Sequence, residues 1–223
     1  MKAIPYFSMP QDIHNYEYED EEIISIENYF HGEILTEPKY YLAGIQGAVS
    51  ECRFRKSAVQ LLEKAFQKLP SGLTFKIYDA WRPIEVQQSL YDGYYFNIKS
   101  LNPEWSAEKI TEETKKFVSY PSYNINKPSV HNSGGAVDLT ICDIKTAEEL
   151  EMGTAFDDFT EKAYTASFEK KENENVKRNR RLLYWIMIDS GFTNYPTEWW
   201  HYDFGDAFWS FYTGNPAKYR GII

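Results

Sequence analysis

The sequence is 223 residues long, enough for one large domain with a substantial buried core. A formal net charge of −9 argues against a broad electrostatic footprint for nucleic acid or an anionic membrane, and no stretch is apolar enough to span a bilayer. The aromatic share is 17%, led by 18 tyrosines, which promises large buried area and flat walls for a pocket.

At the N-terminus the apolar run Ala3–Phe7 is short, broken by Pro5 and soon followed by acid. It lacks the pattern of a secretory signal, and a cytoplasmic protein is expected. Glu17, Glu19, Asp20, Glu21 and Glu22, interleaved with Tyr16 and Tyr18, read as a solvated segment. With no repeat and no Gly/Ser linker, residues 1–223 form one expected domain, of which 1–35 is an acidic, aromatic lead-in without an assigned role. Cys52 and Cys142 have no C-x-x-C spacing and read as free thiols.

Cys52 to Leu69 predicts an amphipathic helix, with Ala58, Leu61, Leu62, Ala65 and Phe66 in three-four rhythm and Pro70-Ser71-Gly72 as the stop. Leu73–Ala80 alternates as a strand and runs into Trp81-Arg82-Pro83, placing Arg82 at its end. A helix follows from Pro83 past Leu90, and Ser106 is placed to cap another running to about Phe117. Tyr120 to Pro128 reads as loop, and from Ser133 the chain turns on two glycines into a strand reaching Thr140. Residues 148–162 carry no clear period. The charged stretch 169–181 leads into a helix over Val176–Ser190, closed by Gly191 at C′, and a short strand covers His201–Phe204. Helices and strands mix without regular β-α-β alternation, which predicts an α+β fold with a mainly antiparallel sheet flanked by helices.

Of the 4 histidines, His14 and His31 stand alone and read as bystanders. His131 lies seven residues before Asp138, a span of about 23 Å in a straight strand at ~3.3 Å per residue. Zinc bonds to nitrogen and oxygen are about 2 Å long, so a shared ion requires the chain to double back, which Ser133-Gly134-Gly135 permits. Beyond the turn Asp138 shares a face with Ala136 and Thr140, while Val137 and Leu139 share the other. A Gly-Gly hairpin with an incidental aspartate fits this segment equally well. The second cluster, Glu198-Trp199-Trp200-His201, can point both polar residues at one site only if the backbone turns, and Pro196 lies just upstream. The two tryptophans are then expected to wall the pocket. Two histidines and an aspartate leave a fourth position open, the pattern of a catalytic metal, with zinc favoured and Glu198 a natural general base.

These residues are recognisable. Ser129, His131, Gly134, Ala136 and Asp138 match S-x-H-x-x-G-x-A-x-D, which resembles the signature of the zinc D,D-peptidases related to the Hedgehog fold; Glu198-x-x-His201 resembles their second motif. The double tryptophan, Tyr78–Pro83 and Met152–Asp157 look like the D-alanyl-D-alanine dipeptidases in particular, over roughly residues 40 to 205. The resemblance implies one zinc per chain held by His131, Asp138 and His201, Glu198 as base, and a small dipeptide as substrate. It further implies that Arg82, otherwise an ordinary buried salt-bridge residue, serves the developing oxyanion. Asp157, which alone reads as a helix cap or surface charge, would meet the substrate ammonium with help from Ser129. Glu169–Arg181 matches nothing in the pattern and reads as solvated helix. Rival readings are a D,D- or L,D-carboxypeptidase and a zinc-bearing binding module without catalysis.

Overall fold

In strand 136–143 Val137, Leu139 and Ile141 alternate with Asp138 and Thr140, and that alternation divides the molecule into a core side and a site side. The computed structural model describes residues 1–13 and 15–222; His14 lies outside the described residues. In chain order the elements are β1 (Ile23–Ser25), α1 (Ile26–Phe30), β2 (Leu35–Thr36), α2 (Lys39–Leu42), β3 (Arg53–Arg55), α3 (Lys56–Phe66) and β4 (Leu73–Asp79). They continue as α4 (Ile84–Leu101), α5 (Ala107–Thr114), α6 (Val130–Ser133), β5 (Ala136–Asp143), α7 (Glu174–Ile188), β6 (Thr193–Asn194), β7 (His201–Asp203) and α8 (Ala207–Thr213).

Five strands form one sheet in the order β2-β4-β5-β7-β6, and only the β2–β4 pair is parallel. This is the expected α+β class with a mainly antiparallel sheet. Val137, Leu139 and Ile141 of β5, Phe75 and Ile77 of β4 and Tyr202 of β7 point to one side. There they meet Ala58, Val59, Leu62 and Ala65 of α3 and Leu183, Ile186 and Met187 of α7 in a single core. Asp138, His201 and Asp203, on the alternate positions, point the other way.

Several expectations shift in detail. The helix expected from Cys52 begins at Lys56, because Arg53–Arg55 pairs with β1 and the Arg53 carbonyl accepts the Trp81 N–H at 2.7 Å. Ser106 caps α5 as expected, its Oγ accepting the Lys109 N–H at 3.3 Å. Gly191, at φ 111, closes α7: its N–H reaches the Ile188 carbonyl and that of Phe192 reaches Met187, the paired bonds of a Schellman closure. His31 is an exposed left-handed cap of α1, and both cysteines are free and buried.

The charged stretch is not plain solvated helix. Arg180 is 2% exposed and donates to the carbonyls of Met152 (2.7 Å), Tyr164 (2.7 Å) and Lys162 (2.9 Å), while Arg181 pairs with Glu169. Nor is the N-terminal segment merely solvated. Most of its acidic side chains are exposed, yet Ile4 is buried, Glu17 and Glu19 donate backbone N–H groups to Ala217 and Lys218, and Glu21 accepts from Ser57. Among the described residues no helix is long and apolar enough to cross a membrane.

Candidate active site

Register brings the polar residues together. Across the β5–β7 ladder Asp138 lies opposite His201, and across β4–β5 it lies opposite Asp79. Asp79 shares the parity of Phe75 and Ile77 and would face the core in a regular strand. A register shift between Ile77 and Asp79 turns it to the site side, the re-aiming that a bulge produces.

His131 does not sit on a hairpin. It occupies the single helical turn α6, whose end at Gly134 is left-handed (φ 74), so the chain reverses by helix-to-strand and not strand-to-strand. Gly135 follows at a close approach: a Cβ there would lie 2.6 Å from the Phe204 carbonyl oxygen. Glu198 and His201 are joined by the turn that their spacing requires. The Glu198 N–H reaches the Tyr195 carbonyl and the His201 N–H reaches that of Glu198. The Asn194 side chain fastens this turn by donating to the carbonyls of both Glu198 (3.1 Å) and His201 (2.8 Å).

The result is a cluster in which His131, Asp138 and His201 each offer one ligand atom, all within 4.8 Å of one another. His131 Nε2 lies 3.2 Å from His201 Nδ1, and His201 Nδ1 lies 3.0 Å from Asp138 Oδ1. The opposite ring nitrogens are already engaged, His131 Nδ1 with the Ala80 carbonyl at 2.8 Å and His201 Nε2 with Asp203 Oδ1 at 2.7 Å. If each of those nitrogens carries the proton, two lone pairs face each other beside a carboxylate. Such an arrangement suits a cation between them, and the nitrogen–oxygen donor set fits a divalent metal.

Burial works to raise the Asp138 carboxyl, but the adjoining histidines outweigh it and hold it below the ordinary carboxylate range. Glu198 stands 3.8 Å from His201 Nδ1 without a strong ion pair, and burial, helped by Asp138 and Asp157, pushes its carboxyl up to about 8.

Arg82 is buried and held on three sides. Nε donates to Asp79 Oδ2 at 2.7 Å, Nη1 to Gln87 Oε1 at 2.8 Å, and Nη2 to the Tyr40 hydroxyl at 3.3 Å, with Asp138 3.5 Å away. Burial alone would lower its pKa, but Tyr40 and the surrounding carboxylates hold it above the usual value. Tyr40 in turn donates to Asp157 Oδ2 at 3.0 Å. Asp157 is neither a helix cap nor a surface charge. Its backbone is left-handed (φ 57), and burial beside Asp138 raises its carboxyl to about 7. Its loop is held by Arg180 and by a 2.8 Å bond from Trp199 Nε1 to Thr154 Oγ1.

One cavity of about 340 Å³ is lined by all seven expected site residues: Arg82, Ser129, His131, Asp138, Asp157, Glu198 and His201. The Ser129 hydroxyl is buried there without a hydrogen-bond partner. The tryptophans do not wall it. Trp199 and Trp200 belong to the core, where Trp200 packs edge-on against Phe156, and the aromatic walls are Tyr40, Tyr94, Phe117, Phe159, Tyr195 and Phe208. Sequence reasoning also missed Tyr40, Asp79, Gln87 and Asp203. Asp203 carried a signal, since i and i+2 of a strand share a face; Tyr40 and Gln87 carried none.

A family model described as D-Ala-D-Ala dipeptidase, Peptidase M15, matches residues 49–218. The chain is 30% identical over 151 residues to a D-alanyl-D-alanine dipeptidase of Synechocystis, the alignment covering 60% of each protein. It is 28% identical over 159 residues to the Escherichia coli protein of that name, covering 71% of this chain and 69% of that one. With the Enterococcus faecium protein of that name it shares 35% over 124 residues, 51% of this chain and 59% of the other. The matched region thus spans about 60% of the length of the Synechocystis relative. Among solved structures, VanYB in complex with D-alanine-D-alanine aligns over 76% of this chain and 83% of its own at 17% identity, with a TM-score of 0.46.

Proposed function

This chain belongs to the M15 peptidases of the D-Ala-D-Ala dipeptidase type, and from that premise we propose that it hydrolyses free D-Ala-D-Ala to two D-alanines in a zinc-dependent reaction. The observation that carries the reading is the convergence of His131, Asp138, His201, Glu198, Arg82 and Asp157 on one cavity. Residues 1–223 act together as one catalytic unit.

His131 Nε2, His201 Nδ1 and Asp138 would hold one zinc ion. When bound, zinc polarises the scissile carbonyl and makes a water more acidic. Glu198 takes the proton from the attacking water and passes it to the leaving amine, a role suited to a carboxyl poised at about 8. Arg82, fixed by Asp79 and Gln87, presents its remaining N–H groups to the carbonyl oxygen as charge develops there, without reorganising in the reaction. Asp157 receives the free ammonium of the dipeptide, and the unpartnered Ser129 hydroxyl stands ready to share that contact.

The test is alanine release from D-Ala-D-Ala and from N-acetyl-D-Ala-D-Ala by zinc-loaded protein. Cleavage of the free dipeptide alone is expected. An acylated nitrogen would leave Asp157 buried opposite a group that cannot neutralise it. Cleavage of the acetylated compound at a comparable rate would move the enzyme to the carboxypeptidases. Cleavage of neither would leave the binding-module reading standing.

A further inference from the structure

His201 has a second buried acidic neighbour that the proposed chemistry does not use. Asp203 is fully buried, and its Oδ1 lies 2.7 Å from His201 Nε2. Both residues sit on β7 two positions apart, so the strand's alternation aims them to the same face. Asp203 cannot easily turn away, since β7 is clamped between β5 and β6 and Asp203 lies opposite Ala136 on one side and Thr193 on the other.

Behind Asp203 stands Asp206, also buried, whose Oδ1 caps α8 by accepting the Trp209 N–H at 3.0 Å. The Oδ2 atoms of Asp203 and Asp206 are both buried with no hydrogen-bond partner. The two carboxyls stand close enough that Asp206 is raised above the ordinary range, first by burial and then by Asp203.

We propose that Asp203, backed by Asp206, is a positioning residue for the metal centre: it holds the proton of His201 on Nε2 and turns the Nδ1 lone pair toward Asp138 and His131. The same contact makes the imidazole a stronger donor, since a ligating histidine that gives its other N–H to a carboxylate gains in basicity and loses a wrong tautomer. The inference rests on the reading of His201 as a metal ligand.

Zinc affinity, measured by competition with a chromogenic chelator, tests it with Asp203→Asn, which keeps volume but removes the charge and permits the wrong tautomer. The expected result is a 10- to 100-fold weaker affinity, the range usual for loss of an outer-shell carboxylate. The cobalt-substituted variant should also show an altered visible spectrum, which a purely structural role would leave alone. On the unaltered protein, 15N spectra of the histidines should show His201 protonated at Nε2 and metal-bound through Nδ1. That measurement stands even if the variant fails to fold. Unchanged zinc affinity in the variant, or metal bound through His201 Nε2, overturns the proposal while leaving the dipeptidase reading intact. An unaltered protein that binds no zinc overturns both.

Discussion

On the proposed reading, replacing Asp157 by Asn separates substrate recognition from the rest of the reaction and has opposite consequences for activity and stability. Asparagine keeps the size and can still accept from the Tyr40 hydroxyl, which lies 3.0 Å from Asp157 Oδ2, but it cannot neutralise an ammonium. Loss of one side of a buried charged hydrogen bond costs about 2–5 kcal/mol. The expected fall in kcat/KM for D-Ala-D-Ala is therefore on the order of 100-fold, at about 1.4 kcal/mol per tenfold. For the metal-free fold the sign reverses. The Asp157 carboxyl rises from an ordinary 3.8 to about 7, chiefly through burial. Below pH 4 it is neutral both folded and unfolded and costs nothing. As pH rises from about 4 to 7 the unfolded chain ionises while the folded one resists, so a destabilising cost builds and is complete above 7. At 1.36 kcal/mol per pH unit the cost is at most about 4 kcal/mol. The zinc-free variant should thus melt several degrees higher than the unaltered protein at pH 8, at about 2–4 °C per kcal/mol for this size, with little difference at pH 4. Paired melting curves and kinetics on the free dipeptide check both halves. An unchanged kcat/KM for the free dipeptide, or a lower melting temperature at pH 8, would refute the reasoning.

Glu198→Gln keeps the shape of the site and removes the proposed base, so kcat should fall by roughly 10²–10⁴ while metal analysis still finds one zinc per chain. His131→Ala should instead lose the zinc. Arg180→Met fills the space but strands the carbonyls of Met152, Lys162 and Tyr164, at about 1–3 kcal/mol for each unsatisfied group. Thermal unfolding should show a drop of roughly 10 °C, and KM for the dipeptide should rise because the anchored loop carries Asp157.

The sequence made visible what depends on local periodicity. The 3.6-residue rhythm of α7, the alternation of β5, the Ser106 cap and the Gly191 closure all act within a few residues and are found where expected. What it hid depends on distant chain. Arg53–Arg55 extends the apolar rhythm of α3, and only pairing with β1 makes it strand. The paired tryptophans look like pocket walls beside His201, yet the turn from Tyr195 to His201 directs both into the core, and the cavity takes its walls from Tyr40 of α2, Tyr94 of α4, Phe208 of α8 and the loops carrying Phe117, Phe159 and Tyr195. Arg180 looked like one more surface charge because nothing near it in sequence says that a loop starting 28 residues earlier needs its carbonyls satisfied. His131 and Asp138 were legible as a pair, but helix-to-strand reversal and hairpin both fit two glycines, and long-range packing decides between them.

The site's electrostatics bind its parts into one unit. Asp138, Asp157 and Glu198 line the cavity with Asp79 and Asp203 just behind, while Arg82 is the single Lys or Arg among the described residues lining it. Carboxylates packed this closely cannot all ionise when buried, and the division is set by their neighbours. Asp138 stays ionised against two histidines, and Glu198 and Asp157 are pushed up to about 8 and about 7, each raised further by Asp138. A dication held by the His131–Asp138–His201 donors would offset the Asp138 charge and add its own field, favouring ionised Glu198 and ionised Asp157 together. On the proposed assignment, the proton-accepting form of Glu198 and the ammonium-reading form of Asp157 would be promoted by the same event. Metal occupancy, proton transfer and recognition of the substrate's amino terminus would then be coupled through a single buried carboxylate, Asp138.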